Sequence, residues 1–135
     1  MTTVTPPWAY TLELPHDPRS PGIARATLRA VLDARALSSL TPTAELLAAE
    51  LLSNAHLHTT GPYALRLRSV GSGRVRVGVW DTDPRVPPGF VGGDCAPPGL
   101  EDEGGRGLHL VRACAGSWGA AELGGSGGKM LWAEV

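Results

Sequence analysis

Glycine and proline are placed so unevenly in this chain that they divide it before any other signal is read. Residues 23–57 hold one proline and no glycine, whereas residues 84–107 hold twelve of the two combined. These two residues are the least compatible with a helix interior. The first stretch is therefore free to be helical and the second is not. A structureless segment of that length inside a small domain is uncommon and is usually functional or disordered. Here it reads as a lid over about residues 84–103, set between two regions of regular pattern.

Residues Trp8 to Leu14 alternate well enough for a first strand, closed by Pro15. After Pro21 and Gly22, residues 23–37 place Ile23, Ala26, Leu28, Val31 and Leu32 at mostly helical spacing. Thr41 followed by Pro42 predicts a helix start, with a capping hydroxyl and proline at the first helical position. This second helix is expected to run to about Thr59, stopped by Gly61-Pro62. Residues 64–70 and 74–80 alternate strictly across Gly71-Ser72-Gly73, a hairpin signal. A third helix is expected over residues 108–116, and residues 118–123 and 129–135 form a last strand pair around Gly124 to Gly128. The order β-α-α-β-β-lid-α-β-β predicts an α+β sandwich, an antiparallel or mixed sheet with helices on one face.

The 135 residues suit a single domain, 1–135, that buries roughly two-thirds of its unfolded surface. Twelve basic residues against thirteen acidic ones give a net charge of -1. That removes the electrostatic argument for direct nucleic-acid binding or a polybasic membrane anchor. The two cysteines, Cys95 and Cys114, form no CxxC pair, which excludes a disulfide framework or structural zinc as organising principle. No apolar run approaches the roughly 18 residues of a spanning helix, and residues 1–15 lack a secretory pattern. A reducing, cytoplasmic location is expected.

The second helix carries an anomaly. With Glu50 at zero on a helical wheel, Asn54 falls near about 40° and His58 near about 80°. Leu57, Leu47 and Leu51 share that arc, whereas Glu45, Ser53 and His56 fall on the far side. A carboxylate among leucines needs a partner, because an unpaired buried charge is costly. Two readings stand at this point: a locally paired structural acid, or a polar row lining a cleft. In the second, Asn54 and Glu50 offer oxygens to a hard cation such as Mg²⁺, and Glu50 is placed for general-base work.

The run from Glu50 to His58 (ELLSNAHLH) resembles the N box of the GHKL ATPase superfamily, E-L-x-x-N-A-x-x-H. Asp81-Thr82-Asp83-Pro84, after a strand, resembles the D-x-x-P form of its G1 box, and Glu103-Gly104-Gly105-Arg106-Gly107-Leu108 its G2 box. Gly127 to Trp132 (GGKMLW) is similar to the closing strand. The four elements stand in order across more than half of the chain. The D-x-x-P form and the small size resemble one branch, the anti-sigma-factor serine/threonine kinases. The resemblance implies a Bergerat-type two-layer fold: a mixed sheet, three helices on one face and an ATP lid.

It also implies roles. Glu50 is the base that activates a hydroxyl on a protein substrate, and Asn54 holds the Mg²⁺ that bridges the phosphates of ATP. His58 closes the N box, either as a ligand contact or as a core histidine. Asp81 accepts the exocyclic amine of adenine, or else is a strand-end turn residue. Pro84 follows it in the same box. Gly104, Gly105, Arg106, Gly107 and Leu108 turn backbone amides and a helix start toward phosphate, or serve as a hinge; Lys129 joins them as a nucleotide contact. The implied partners are a sigma factor and an anti-anti-sigma (STAS-like) protein, with a homodimer common in the family. A nucleotide-gated protein-binding module without kinase turnover is the alternative. Three decoys fail. Gly124-Gly125-Ser126-Gly127-Gly128 fits a hydrolase elbow, but no histidine follows it. Gly128-Lys129 lacks the rest of a Walker motif, and His56 and His58 lie about 200° apart, too far to share a metal.

Overall fold

Each alternating run forms a strand. The computed structural model describes residues 7–71, 73–87, 115–123 and 127–135. Its strands are β1 (Ala9–Leu14), β2 (Tyr63–Ser69), β3 (Val75–Asp81), β4 (Ser117–Leu123) and β5 (Gly128–Glu134). Two helices, α1 (Ser20–Ala34) and α2 (Thr41–His58), and a 3-10 turn at Ser38–Leu40 complete the described elements. The third expected helix, save Ala115 and Gly116 at its end, and the lid beyond residue 87 lie outside the described residues.

The strands form one five-stranded sheet in the order β1-β2-β3-β5-β4, and every neighbouring pair is antiparallel. The sheet is therefore α+β as expected, but its described strands are not mixed. The reason lies in the connections. Two helices joined by a short link return the chain so that β2 runs against β1, whereas one helix would have given a parallel crossover. β4 runs in the same direction as β3, but β5 lies between them.

The helix termini hold two differences from the sequence reading. Thr41 is the first residue of α2 rather than its cap, because the 3-10 turn runs directly into the helix with Leu40 at the cap position and no side-chain cap bond. α1 starts at Ser20, since Pro21 and Gly22 are tolerated in a first turn whose amides have no helical acceptors. It also ends early. Ala36 adopts φ 58°, and the Leu37 and Ala36 amides donate to the carbonyls of Leu32 (2.8 Å) and Asp33 (3.1 Å). That is a Schellman closure with alanine where glycine is usual.

The core lies between the helices and one sheet face. From α1 it takes Ala24, Leu28, Val31 and Leu32; Ile23 and Ala26 face outward. α2 adds Ala44, Leu47, Ala48, Leu51, Leu52 and Ala55, and the sheet adds alternate residues such as Leu65, Leu67, Val77, Val79, Leu131 and Ala133. Tyr63 is fully buried beneath the end of α2, where the His56 Nδ1 lies 2.9 Å from its hydroxyl. His56, assigned to the wet side by the wheel, is half-buried with its ring stacked on His16 at 4.2 Å. Burial pushes the Tyr63 phenol above its ordinary pKa.

Candidate functional site

β3 alternates Val75, Val77, Val79 and Asp81 toward the helices, so its last inward residue is an acid. Directly opposite, β5 places Lys129. Lys129 Nζ donates to Asp81 Oδ1 at 2.8 Å, to Asp81 Oδ2 at 2.9 Å and to the Asp83 carbonyl at 2.9 Å. Both side chains are buried, with 3% and 1% of their surface exposed. The ammonium has three protons, and all three are used. Lys129, expected as a nucleotide contact, holds Asp81.

The Asp81 carboxylate has a second duty. Its Oδ1 accepts the Asp83 amide at 2.9 Å, which turns the chain after the strand. Among the described residues Oδ1 thus has two donors and Oδ2 has one, which leaves one lone pair of Oδ2 unused by them. Gly128 makes this approach possible. A Cβ there would lie 2.5 Å from the Asp81 carbonyl oxygen and 2.6 Å from Trp80 Nε1. Beyond the turn, Asp83 Oδ1 accepts the Arg85 amide at 2.9 Å across the exposed Pro84. Hydrogen bonds from the Arg85 side chain hold the Asp83 carboxyl well below the usual range, at about 2.

The polar row of α2 lies at the margin of the packed face. Its buried residues centre near about 130° on the wheel, which leaves Glu50 and Asn54 half-buried on the flank. Leu57, placed by the wheel at the edge of the same arc farthest from that centre, is 75% exposed, whereas Leu47 and Leu51 are fully buried. Glu50 therefore needs no local partner, and among the described residues it makes no ion pair or hydrogen bond. Asn54 is likewise unbonded, and His58, the last residue of α2, is exposed rather than a core histidine. Gly104, Gly105, Arg106, Gly107 and Leu108 lie outside the described residues. Sequence reasoning missed the Asp81–Lys129 contact, which spans 48 positions and depends on strand register.

No group of three or more metal-ligating side chains occurs among the described residues. Mg²⁺ seldom uses such a cage; it takes one or two protein oxygens and completes its shell with water and phosphate. An unbonded, accessible Asn54 one turn from a carboxylate fits that demand.

The domain is thus two-layered, with a buried carboxylate closing an inner strand and a polar row on the adjoining helix. The sequence profile of the histidine kinase-like ATPase domain matches residues 14–134, and the chain belongs to that family. That family is one of ATPase domains, and ATP binding is what membership implies. The chain is also similar to an uncharacterized protein of Streptomyces coelicolor, 49% identical over 63 residues. That match covers 47% of this chain and 56% of the relative's length. Among the described residues no helix is long and apolar enough to cross a membrane.

Proposed function

We propose that the chain is an ATP-dependent serine/threonine protein kinase of the anti-sigma type. In this reading it acts in the cytoplasm as a homodimer, phosphorylates an anti-anti-sigma (STAS-like) partner and sequesters a sigma factor. The observation that carries the reading is the pair Glu50 and Asn54, one turn apart, half-buried and unbonded on the flank of α2. Bound Mg-ATP supplies the γ-phosphoryl group and its charge neutralisation. Asn54 offers one oxygen to the metal. Glu50 would take the proton of the partner's hydroxyl as that oxygen displaces ADP from the γ-phosphoryl group. Asp81, oriented by Lys129, would accept the adenine amine.

One observation favours the alternative, a nucleotide-gated binding module without turnover: among the described residues Glu50 has no third group to orient it, as an activated base usually does. Calorimetric titration of Mg-ATP and transfer of γ-phosphate label to the antagonist protein separate the two. Asn54→Ala is expected to lose Mg-ATP affinity by at least about tenfold. Glu50→Gln is expected to keep binding and lose label transfer. Binding by wild type without any transfer selects the module, and no binding at millimolar nucleotide refutes both.

A further inference from the structure

Opposite the helices, the sheet presents a face built from the other set of alternate residues. Arg66 and Arg68 of β2, Arg76 and Gly78 of β3, and Met130 and Trp132 of β5 line a groove there of about 300 Å³. Arg76 is satisfied: it pairs with Glu134 at 2.6 Å and lies 4.0 Å from the centre of the Trp132 ring. Arg66, exposed, and Arg68, half-buried, make no ion pair or hydrogen bond among the described residues. Arg68 also stands directly opposite Arg76 in the ladder. Like charges placed opposite one another destabilise a sheet, so this face is complementary to acids brought from elsewhere.

We propose that this face binds an extended acidic segment of a partner protein, with carboxylates on alternate residues seated on Arg66 and Arg68. The spacing sets the pattern. At a rise of about 3.4 Å per residue, two arginines two positions apart stand about 7 Å from each other, which is the same-side repeat of an extended peptide. Gly78, opposite Arg66, opens the floor, and Met130 covers it: a Cβ at Gly78 would lie 2.9 Å from Met130 Sδ.

Two other occupants fit less well. Single-stranded nucleic acid draws affinity from stacking on open aromatic faces. Trp132 is already engaged by Arg76, and its indole lies across Gly119, where a Cβ would meet Cζ2 at 2.5 Å. A second copy of this face would set one arginine row against another. The surface lies on the side of the sheet away from Asp81 and α2, so the proposal does not depend on kinase turnover.

The test uses the full chain and a fluorescein-labelled peptide of alternating glutamate and valine, read by fluorescence anisotropy at low salt. The peptide is expected to bind at about 100 μM or tighter, and Arg66→Ala/Arg68→Ala to weaken it at least about tenfold. A peptide of the same composition with its glutamates in one block is expected to bind more weakly. Circular dichroism melting and Mg-ATP titration of the variant show that fold and nucleotide site are retained. Three outcomes overturn the proposal: no peptide binding, peptide binding unchanged in the double variant, or tighter binding of oligo-dT. A self-association that the double substitution abolishes, without peptide binding, assigns the face to a second copy and overturns it as well.

Discussion

Lys129→Met removes the ammonium that neutralises Asp81 and leaves a carboxylate with 1% of its surface exposed and one remaining donor, the Asp83 amide at 2.9 Å. Breaking a buried pair on one side typically costs about 3–5 kcal/mol, because the surviving charge has neither water nor a counter-ion. All three ammonium hydrogen bonds are lost together, which places this variant at the upper end of that range. Against a domain stability of about 5–15 kcal/mol, the loss is large. At about 4 °C per kcal/mol for a chain of this size, the melting temperature falls by about 12–20 °C. Urea denaturation followed by far-UV circular dichroism measures it, with an unchanged slope as the sign that the unfolded state is unaffected. Asp81→Asn keeps an acceptor for the Asp83 amide and strands the ammonium instead. The double variant Asp81→Asn/Lys129→Met removes both charges, so its cost is expected to fall short of the sum of the singles by at least about 1.5 kcal/mol. A cost for Lys129→Met below about 1 kcal/mol, or additive singles, refutes the argument that this pair is buried and coupled.

The other predictions concern backbone and acid stability. Gly128→Ala puts a Cβ 2.5 Å from a backbone oxygen that cannot move without the strand, and is expected to cost about 2 kcal/mol or more in the same denaturation assay. Ala36→Gly is expected to stabilise by about 0.5–1 kcal/mol, since φ 58° at this helix end disfavours a Cβ. Burial pushes the Glu134 carboxyl up, but bonds from Arg76 and Ser117 outweigh it and hold the folded value below 4.5. Its stabilisation is therefore complete above the unfolded value and is lost as the pH falls below about 4.5 through the depressed folded value. Glu134→Gln is expected to flatten that part of the stability–pH curve, read from urea midpoints between about pH 5 and pH 3.

The elements of the fold and the buried Asp81–Lys129 pair differ in how far the sequence exposes them. The strands lie within a residue of their expected bounds, because alternation is a local signal that needs no partner to be read. The same holds for α2, bounded by Pro42 and by Gly61-Pro62. α1 ends early because its left-handed closing residue is alanine, so the usual glycine signal is missing. A wheel gives angles but not the direction of the sheet, and this is why Leu57 and His56 exchange the environments expected of them. Strand direction depends on how many helices separate two strands and on how they pack, which periodicity does not encode. Asp81 and Lys129 each attract notice alone through their motifs. Their contact does not, since it requires the register between a middle strand and the last one.

That register has a physical guard. β5 is the last strand in the chain, yet it inserts between β3 and β4, so no tight turn sets its alignment with β3. The β3–β5 ladder begins with Arg76 opposite Glu134 and ends with Asp81 opposite Lys129. Each pair is bonded across the strands, one on the open face and one on the helix face. A slip by one residue would turn every side chain of β5 to the wrong side. It would also carry Lys129 to the open face and unpair Asp81. A slip by two would keep the faces but break both ion pairs. Both pairs therefore oppose either slip, and the alternation of faces opposes the slip by one as well. Alignment also sets where Asp81 Oδ2 points, so the residue expected to receive adenine is positioned by the same contacts that place the final strand. Substitutions on the open face that spare Glu134 and Arg76 should leave that position intact, whereas loss of either pair should loosen it.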